Sequence, residues 1–272
     1  MELTWDLYNP SSDADRILVL TPSLGGNCAH QWAKVADLLS DRARVVFVDY
    51  PGHALSQVWD DADEPRLEVI ADAVVDVISQ VREQVGDLPV VYAGLSIGGA
   101  TGLHLARDHA DAVAGVAVVA SGATVGESSR WLARAERVEA EGTQHLIDET
   151  VQRWFTPTFR ATHTGVVATI MEGLADADDH SYAQLCRCLA VHDVRDDLAD
   201  IRCPLLIVAG ERDSSTPMAN QEFVAETVPG ARFVVVPDAS HQIPVAAPRD
   251  VADALGAFLD RVGRPRRGEA DD

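Results

Sequence analysis

Val90-Val91-Tyr92-Ala93-Gly94-Leu95-Ser96-Ile97-Gly98-Gly99-Ala100 is the stretch that decides how this chain folds. Val90 to Tyr92 is a short β-branched and aromatic run of the kind that forms a buried strand. From Gly98 to His109 the spacing is helical. Between them, Gly94-x-Ser96-x-Gly98 has the pattern of a nucleophile elbow, a serine on a sharp strand-to-helix turn. Such a turn strains the serine backbone, so glycines two residues before and after it keep side chains from colliding. It lifts the hydroxyl above the sheet and aims the free N–H groups of the following helix at a reacting carbonyl. The pentapeptide alone is common; the strand before it and the helix after it give it meaning.

Working outward, the same alternation recurs. Arg16 to Leu20 and Val45 to Asp49 are continuous apolar runs, as in strands buried on both faces. Trp5 to Tyr8 reads as an edge strand, and His30 to Leu39 as a helix. Leu67 to Val85 places Val69, Ala73, Val77 and Val81 four apart, which predicts an amphipathic helix. Val113 to Ala120, Pro204 to Ala209 and Ala231 to Val236 are further strands, with helices at Gln221 to Val228 and Asp250 to Val262. Strands alternating with helices predict βαβ units and a mostly parallel sheet, with ligands beyond the strands' C-terminal ends. The texture changes over residues 126–193, where apolar and charged residues alternate at helical spacing without a strand. That segment is too long for a plain loop and reads as a helical lid. The expected organisation is a core over 1–125 and 194–262, the lid over 126–193, and a disordered tail over 263–272.

Composition narrows the class. Of 272 residues, 47% are hydrophobic, enough for a sizeable core. No apolar run approaches the roughly 20 residues that span a bilayer, and the first residues lack the basic and apolar regions of a signal peptide. The default expectation is a cytoplasmic protein with no membrane partner. A formal charge of −21, with Lys34 as the single lysine, argues against nucleic acid. It leaves room for an anionic small molecule held by a local arginine pair. Cys28, Cys186, Cys188 and Cys203 have no zinc-like spacing and are expected to be buried thiols; nucleophilic chemistry at a serine requires neither metal nor organic cofactor.

A serine nucleophile needs a base and a carboxylate that orients it. In this architecture the order is serine, acid, histidine. Asp213 follows one strand and His241 the next, so Ser96, Asp213 and His241 are the candidate catalytic residues. Asp49 and Glu211 are back-up carboxylates near strand ends, and His53 is expected to hold its loop's shape. The other histidines have no evident partner. An oxyanion hole needs two backbone N–H groups; the candidates are Ile97, after the nucleophile, and Leu24, in the loop after the Arg16–Leu20 strand.

With Ser23-Leu24-Gly25 standing where others have His-Gly-x-Gly, and Gly94-Leu95-Ser96-Ile97-Gly98-Gly99 at the elbow, residues 17–260 resemble the α/β-hydrolase family. The lid residues Trp131-x-x-Arg134, Gly142 and Arg153-Trp154-Phe155-Thr156-x-x-Phe159-Arg160 are similar to the 3-oxoadipate enol-lactonases within it. The resemblance implies an α/β-hydrolase fold with the lid inserted after the sixth strand. It also implies hydrolysis of a small, carboxylate-bearing enol-lactone in aromatic-acid breakdown. Trp131, Arg134 and Trp154 would then face the substrate, with Arg134 a partner for its carboxylate. Three departures from the lactonase pattern stand out: Pro51 in place of an arginine, Ala54 in place of a glycine, and no acidic residue before Pro248. The rival readings are a carboxylesterase, a C–C bond hydrolase, a cofactor-free lyase, and a non-catalytic receptor for a small acid.

Overall fold

The structure, a computed structural model, describes residues 1–262; the tail expected to be disordered, 263–272, lies outside the described residues. In chain order the elements are β1 (Thr4–Leu7), β2 (Ile17–Thr21), α1 (Cys28–Leu39), β3 (Arg44–Asp49), α2 (Leu67–Val85), β4 (Val90–Leu95), α3 (Ile97–Asp108) and β5 (Gly115–Val119). A run of helices follows: α4 (Ser128–Glu141), α5 (Ile147–Trp154), α6 (Pro157–Thr162), α7 (Thr164–Ala175) and α8 (Asp179–Val191). Then come β6 (Leu205–Gly210), α9 (Met218–Thr227), β7 (Arg232–Val236), α10 (Ile243–Ala246) and α11 (Pro248–Val262). Helix α1 starts two residues earlier than its apolar spacing suggests because Asn27 caps it, its side chain accepting from the His30 N–H.

The strands form one sheet in the order β1-β3-β2-β4-β5-β6-β7. Only β1 is antiparallel, paired with β3 at the edge. Strands β2, β4, β5 and β6 are buried along their whole length, as their continuous apolar runs require. Helices α1 and α11 cover one face through Trp32, Val35, Leu255 and Phe258. Helices α2, α3 and α9 cover the other through Ile70, Val77, Leu103 and Val224. Trp32 also donates its indole N–H to the Thr21 carbonyl at 2.9 Å, so α1 fixes the chain where it leaves β2.

The helical insertion follows the fifth strand, not the sixth. A single strand, β1, precedes β2 among the described residues, so β5 is the last strand before α4. Trp154, Phe155, Ile170 and Met171 of the insertion form a small cluster with Val245, while the rest of its apolar face joins the main core. Ala135, Val138, Leu174, Tyr182 and Leu185 share one apolar cluster with Leu24, Ile97 and the α2–α3 face. Its end is anchored by a polar contact as well. His192, just past α8, is 3.1 Å from His104 of α3 through ring nitrogens, and its other nitrogen donates to the Gly122 carbonyl at 3.0 Å.

This buried pair makes stability pH-dependent. Burial and the neighbouring His192 push His104 down to about 4, against the pull of Glu68, whose carboxylate lies 3.6 Å away; Arg107 also lowers it and Asp108 raises it. Burial lowers His192 too. Unfolded, an imidazole takes its proton near pH 6.5. Between pH 6.5 and 4 the unfolded chain therefore binds more protons, so stability is full above pH 6.5 and drains away on acidification. His104→Gln should lose up to about 3 kcal/mol less than wild type between pH 7 and pH 4.5. Urea unfolding at both pH values measures this, and equal acid losses in the two proteins would refute it.

Candidate active site

Ser96 stands between β4 and α3 at φ 58° and ψ −114°, a left-handed backbone that a residue with a Cβ adopts only at a cost. The surroundings hold it there. A Cβ at Gly94 would fall on the Gly98 carbonyl, and one at Gly98 would come within 2.5 Å of the Thr21 hydroxyl. Both elbow positions therefore require glycine through close approach. The Ser96 N–H donates to the Val119 carbonyl at 2.8 Å. Tyr92, inside β4, donates its hydroxyl proton to the Gly98 carbonyl at 2.7 Å, with the Thr21 hydroxyl 2.6 Å away. Reading the sequence assigned Tyr92 only to the core. Its phenol also locks the turn, a role set by an oxygen that periodicity does not register.

The carboxylate and the histidine meet across two strand ends. His241 Nδ1 lies 2.9 Å from Asp213 Oδ2, and both side chains are buried. Asp213 Oδ1 accepts the N–H groups of Ser215 at 2.8 Å and Thr216 at 3.0 Å. A carboxylate used as acceptor on both oxygens places the imidazole proton on Nδ1 and leaves Nε2 basic. Ser96 and His241 line one cavity, together with Leu24, Val125, Trp131, Thr150, Arg153, Trp154 and others. The back-up carboxylates are engaged elsewhere. Glu211 accepts from the Asp238 N–H, and Asp49 from the Cys28 N–H, with burial pushing Asp49 up to about 6.

The loop after β2 presents its amides selectively. The Ser23 N–H donates to Gln31 Oε1, the Gly25 N–H to His53 Nε2, and the Gly26 N–H to the Ser23 carbonyl. Leu24 N–H has no acceptor among the described residues, and neither does Ile97 N–H at the head of α3. These two amides, beside Ser96, are free to hold an oxyanion. His53 does hold its loop: Nδ1 donates to the Pro51 carbonyl at 2.8 Å while Nε2 accepts from Gly25, and burial lowers its pKa so that the ring stays neutral. Ala54, in place of a glycine, has φ 51°, the left-handed conformation that glycine adopts without strain.

Trp131, Arg134 and Trp154 all line the cavity of Ser96. Arg134 is ion-paired to Glu149, lies 3.3 Å from the Tyr182 hydroxyl, and its guanidinium sits 5.6 Å from the Trp131 ring centre. Sequence reading missed Arg153, Tyr182, Thr150 and Thr216 in this wall. The last carbonyls of α5, orphaned at the helix end, are taken up by the histidine loop: Ser240 Oγ donates to Arg153 O at 2.9 Å and Gln242 N–H to Trp154 O at 3.1 Å. The insertion and the candidate base are thus tied together. All four cysteines are buried free thiols, and no group of three or more His, Cys, Asp or Glu among the described residues is placed to hold a metal.

An acid-oriented histidine beside a serine on a strained turn, with two free amides, can abstract a hydroxyl proton and stabilise a tetrahedral oxyanion. Comparison with known proteins agrees in class. Residues 18–254 match the model of the alpha/beta hydrolase family. The 3-oxoadipate enol-lactonase 1 of Acinetobacter baylyi is 31% identical over 245 residues, covering 90% of this chain and 89% of that protein. The crystal structure of the enol-lactonase from Burkholderia xenovorans LB400 is similar with a TM-score of 0.85 and 29% identity, over 95% of this chain and 96% of that one. A thermophilic esterase from Thermogutta terrifontis, solved with malate bound, has a TM-score of 0.86 and 26% identity, over 96% and 94%.

Proposed function

The chain belongs to the alpha/beta hydrolase family, and from that premise we propose that it is a serine-dependent hydrolase opening a small carboxylate-bearing lactone, of the 3-oxoadipate enol-lactone type, through an acyl-enzyme. The observation that carries this reading is the convergence of Ser96, His241 and Leu24 on one cavity, with Asp213 hydrogen-bonded behind His241 and the free Ile97 amide next to Ser96 in the chain. His241 Nε2 takes the Ser96 proton as the serine oxygen attacks the ring carbonyl. The two amides hold the oxyanion, and Asp213 stabilises the imidazolium. Collapse breaks the ring C–O bond, and the proton passes from His241 to the departing enol oxygen. Water, deprotonated by His241, then attacks the ester on Ser96, and its proton returns to the serine. Every step is a proton or acyl transfer that these residues supply.

The likeness to enol-lactonases supports the carboxylate-bearing lactone, and Trp131 and Trp154 in the cavity wall support a flat substrate. The same proposal places the reaction in aromatic-acid breakdown in the cytoplasm, where buried free thiols persist. No described helix is long and apolar enough to cross a membrane. Steady-state hydrolysis of 3-oxoadipate enol-lactone beside a neutral short-chain aryl ester tests the proposal. The expected result is kcat/KM of about 10⁴ M⁻¹s⁻¹ or more for the lactone, with the neutral ester far slower. Fast ester cleavage with an inert lactone would keep the hydrolase and discard the lactone.

A further inference from the structure

We propose that the chamber outside the catalytic cavity is an anion subsite, with Arg153 as its main cation and Arg130 beside it, that receives a carboxylate carried a few bonds from the scissile carbonyl. This rests on the hydrolase reading above and names the group that sets its specificity.

Size comes first. The cavity at Ser96 and His241 has a volume of about 30 Å³, room for a water or two. A lactone ring with a side chain does not fit there. Against it lies a chamber of about 390 Å³, and Val125, Trp131, Arg134, Arg153 and Ser215 belong to both walls. A substrate whose carbonyl reaches Ser96 must leave the rest of itself in that direction.

Charge comes second. In a chain of net charge −21, this chamber is lined by Arg130, Arg134, Arg137 and Arg153 against only Glu127 and Glu149. Arg134 is paired with Glu149, and Arg137 with Glu141 at 3.0 Å. Arg153 and Arg130 have no ion pair among the described residues. Arg153 is half-buried; burial and the charges of Arg134 and Arg130 lower its pKa, with Glu149 opposing. Crowded cations short of counter-charge are relieved by a bound anion, and a guanidinium can grip a carboxylate with two parallel hydrogen bonds. The backbone that carries this cation is tied to the loop of the base, because the Arg153 carbonyl accepts from Ser240, next to His241. Arg134, which the sequence nominates for the substrate carboxylate, already has its anion in Glu149.

The ligand class that follows is a short-chain acid bearing its ester or lactone carbonyl at one end and a free carboxylate at the other. Hydrolysis makes the product a dicarboxylate. The test uses aryl esters of linear dicarboxylic acids, with the distal carboxylate either free or methylated, on the full-length wild type, Arg153→Gln, Arg153→Lys and Arg130→Gln. The wild type should favour the free acid at least tenfold in kcat/KM, mainly through KM. That ratio should collapse towards one in Arg153→Gln, fall severalfold in Arg130→Gln, and be partly restored in Arg153→Lys. A wild type without preference, or an Arg153→Gln that slows both esters alike, overturns the subsite. Titration of tryptophan fluorescence with adipate and with its neutral diamide reads the subsite without turnover. Adipate should bind at least tenfold more tightly than the diamide in wild type and lose that advantage in Arg153→Gln; equal binding overturns the subsite even in a protein that cleaves neither ester. Absence of cleavage with adipate still preferred strikes the hydrolase reading alone.

Discussion

Ser96→Ala is expected to lower kcat by about 10⁶ while leaving the thermal transition close to that of the wild type. The two halves of this expectation have separate causes. Activity falls because the attacking oxygen is gone; the amides of Leu24 and Ile97 and the substrate contacts remain, and alone they leave a residual of about 10³–10⁴ over water. Stability holds because what fixes this turn is not the hydroxyl. The Ser96 N–H bond to Val119, the Ala100 N–H bond to the Ser96 carbonyl and the Tyr92 bond to Gly98 all survive the change. Alanine bears the same left-handed φ with the same Cβ. Initial rates on whichever substrate the wild type turns over best, beside a melting curve, measure both halves. A variant within a hundredfold of wild type would move the nucleophile elsewhere; a large drop in melting temperature would mean that the hydroxyl holds the turn.

The parts of this architecture legible in the sequence are those whose signal is local. The apolar runs of β2, β4, β5 and β6 announce strands buried on both faces, because runs of five or six β-branched and apolar residues bounded by turns are too short for a buried helix. Gly94 and Gly98 are legible for a similar reason, since close approach leaves one residue type. Asp213 and His241 are found by their order on successive strand ends, and the sheet then brings them to hydrogen-bond distance. What escapes is settled by pairs far apart in the chain. His104 and His192 look partnerless in sequence, yet meet when α8 ends against α3. Arg134 looks like a free cation until Glu149 is folded beside it. Arg153, in contrast, is legible only as a member of the lid motif; that it has no ion pair among the described residues and lines the chamber emerges once Glu149 is folded against Arg134. The sixth-strand position of the lid comes from the family resemblance; the five strands that the sequence itself shows before residue 126 already place it after the fifth.

Asp213→Asn is expected to lower kcat by about 10⁴ with the fold intact, and the reason lies in the three hydrogen-bonding partners of its carboxylate. Oδ1 already accepts two backbone N–H groups, from Ser215 and Thr216. An asparagine must keep its carbonyl oxygen on that side, because turning its NH₂ there would set donor against two donors. The NH₂ then faces His241 Nδ1, which has to become the acceptor, and the ring proton moves to Nε2. The base that should take the Ser96 proton is then already protonated, although every heavy atom keeps its place. No neighbour rescues it, since Glu211 is bound to the Asp238 N–H and Asp49 to the Cys28 N–H. The signature is a fall in kcat with little change in KM or melting temperature, and a residual rate that climbs with pH as hydroxide replaces the lost base. Asp213→Ala, which frees the Ser215 and Thr216 N–H groups, should in addition lose about 1–3 kcal/mol of stability. If Asp213→Asn kept its rate within tenfold of wild type, the imidazole would be oriented by something other than Asp213, and the Ser96–His241–Asp213 mechanism would have to be rebuilt from the histidine outward.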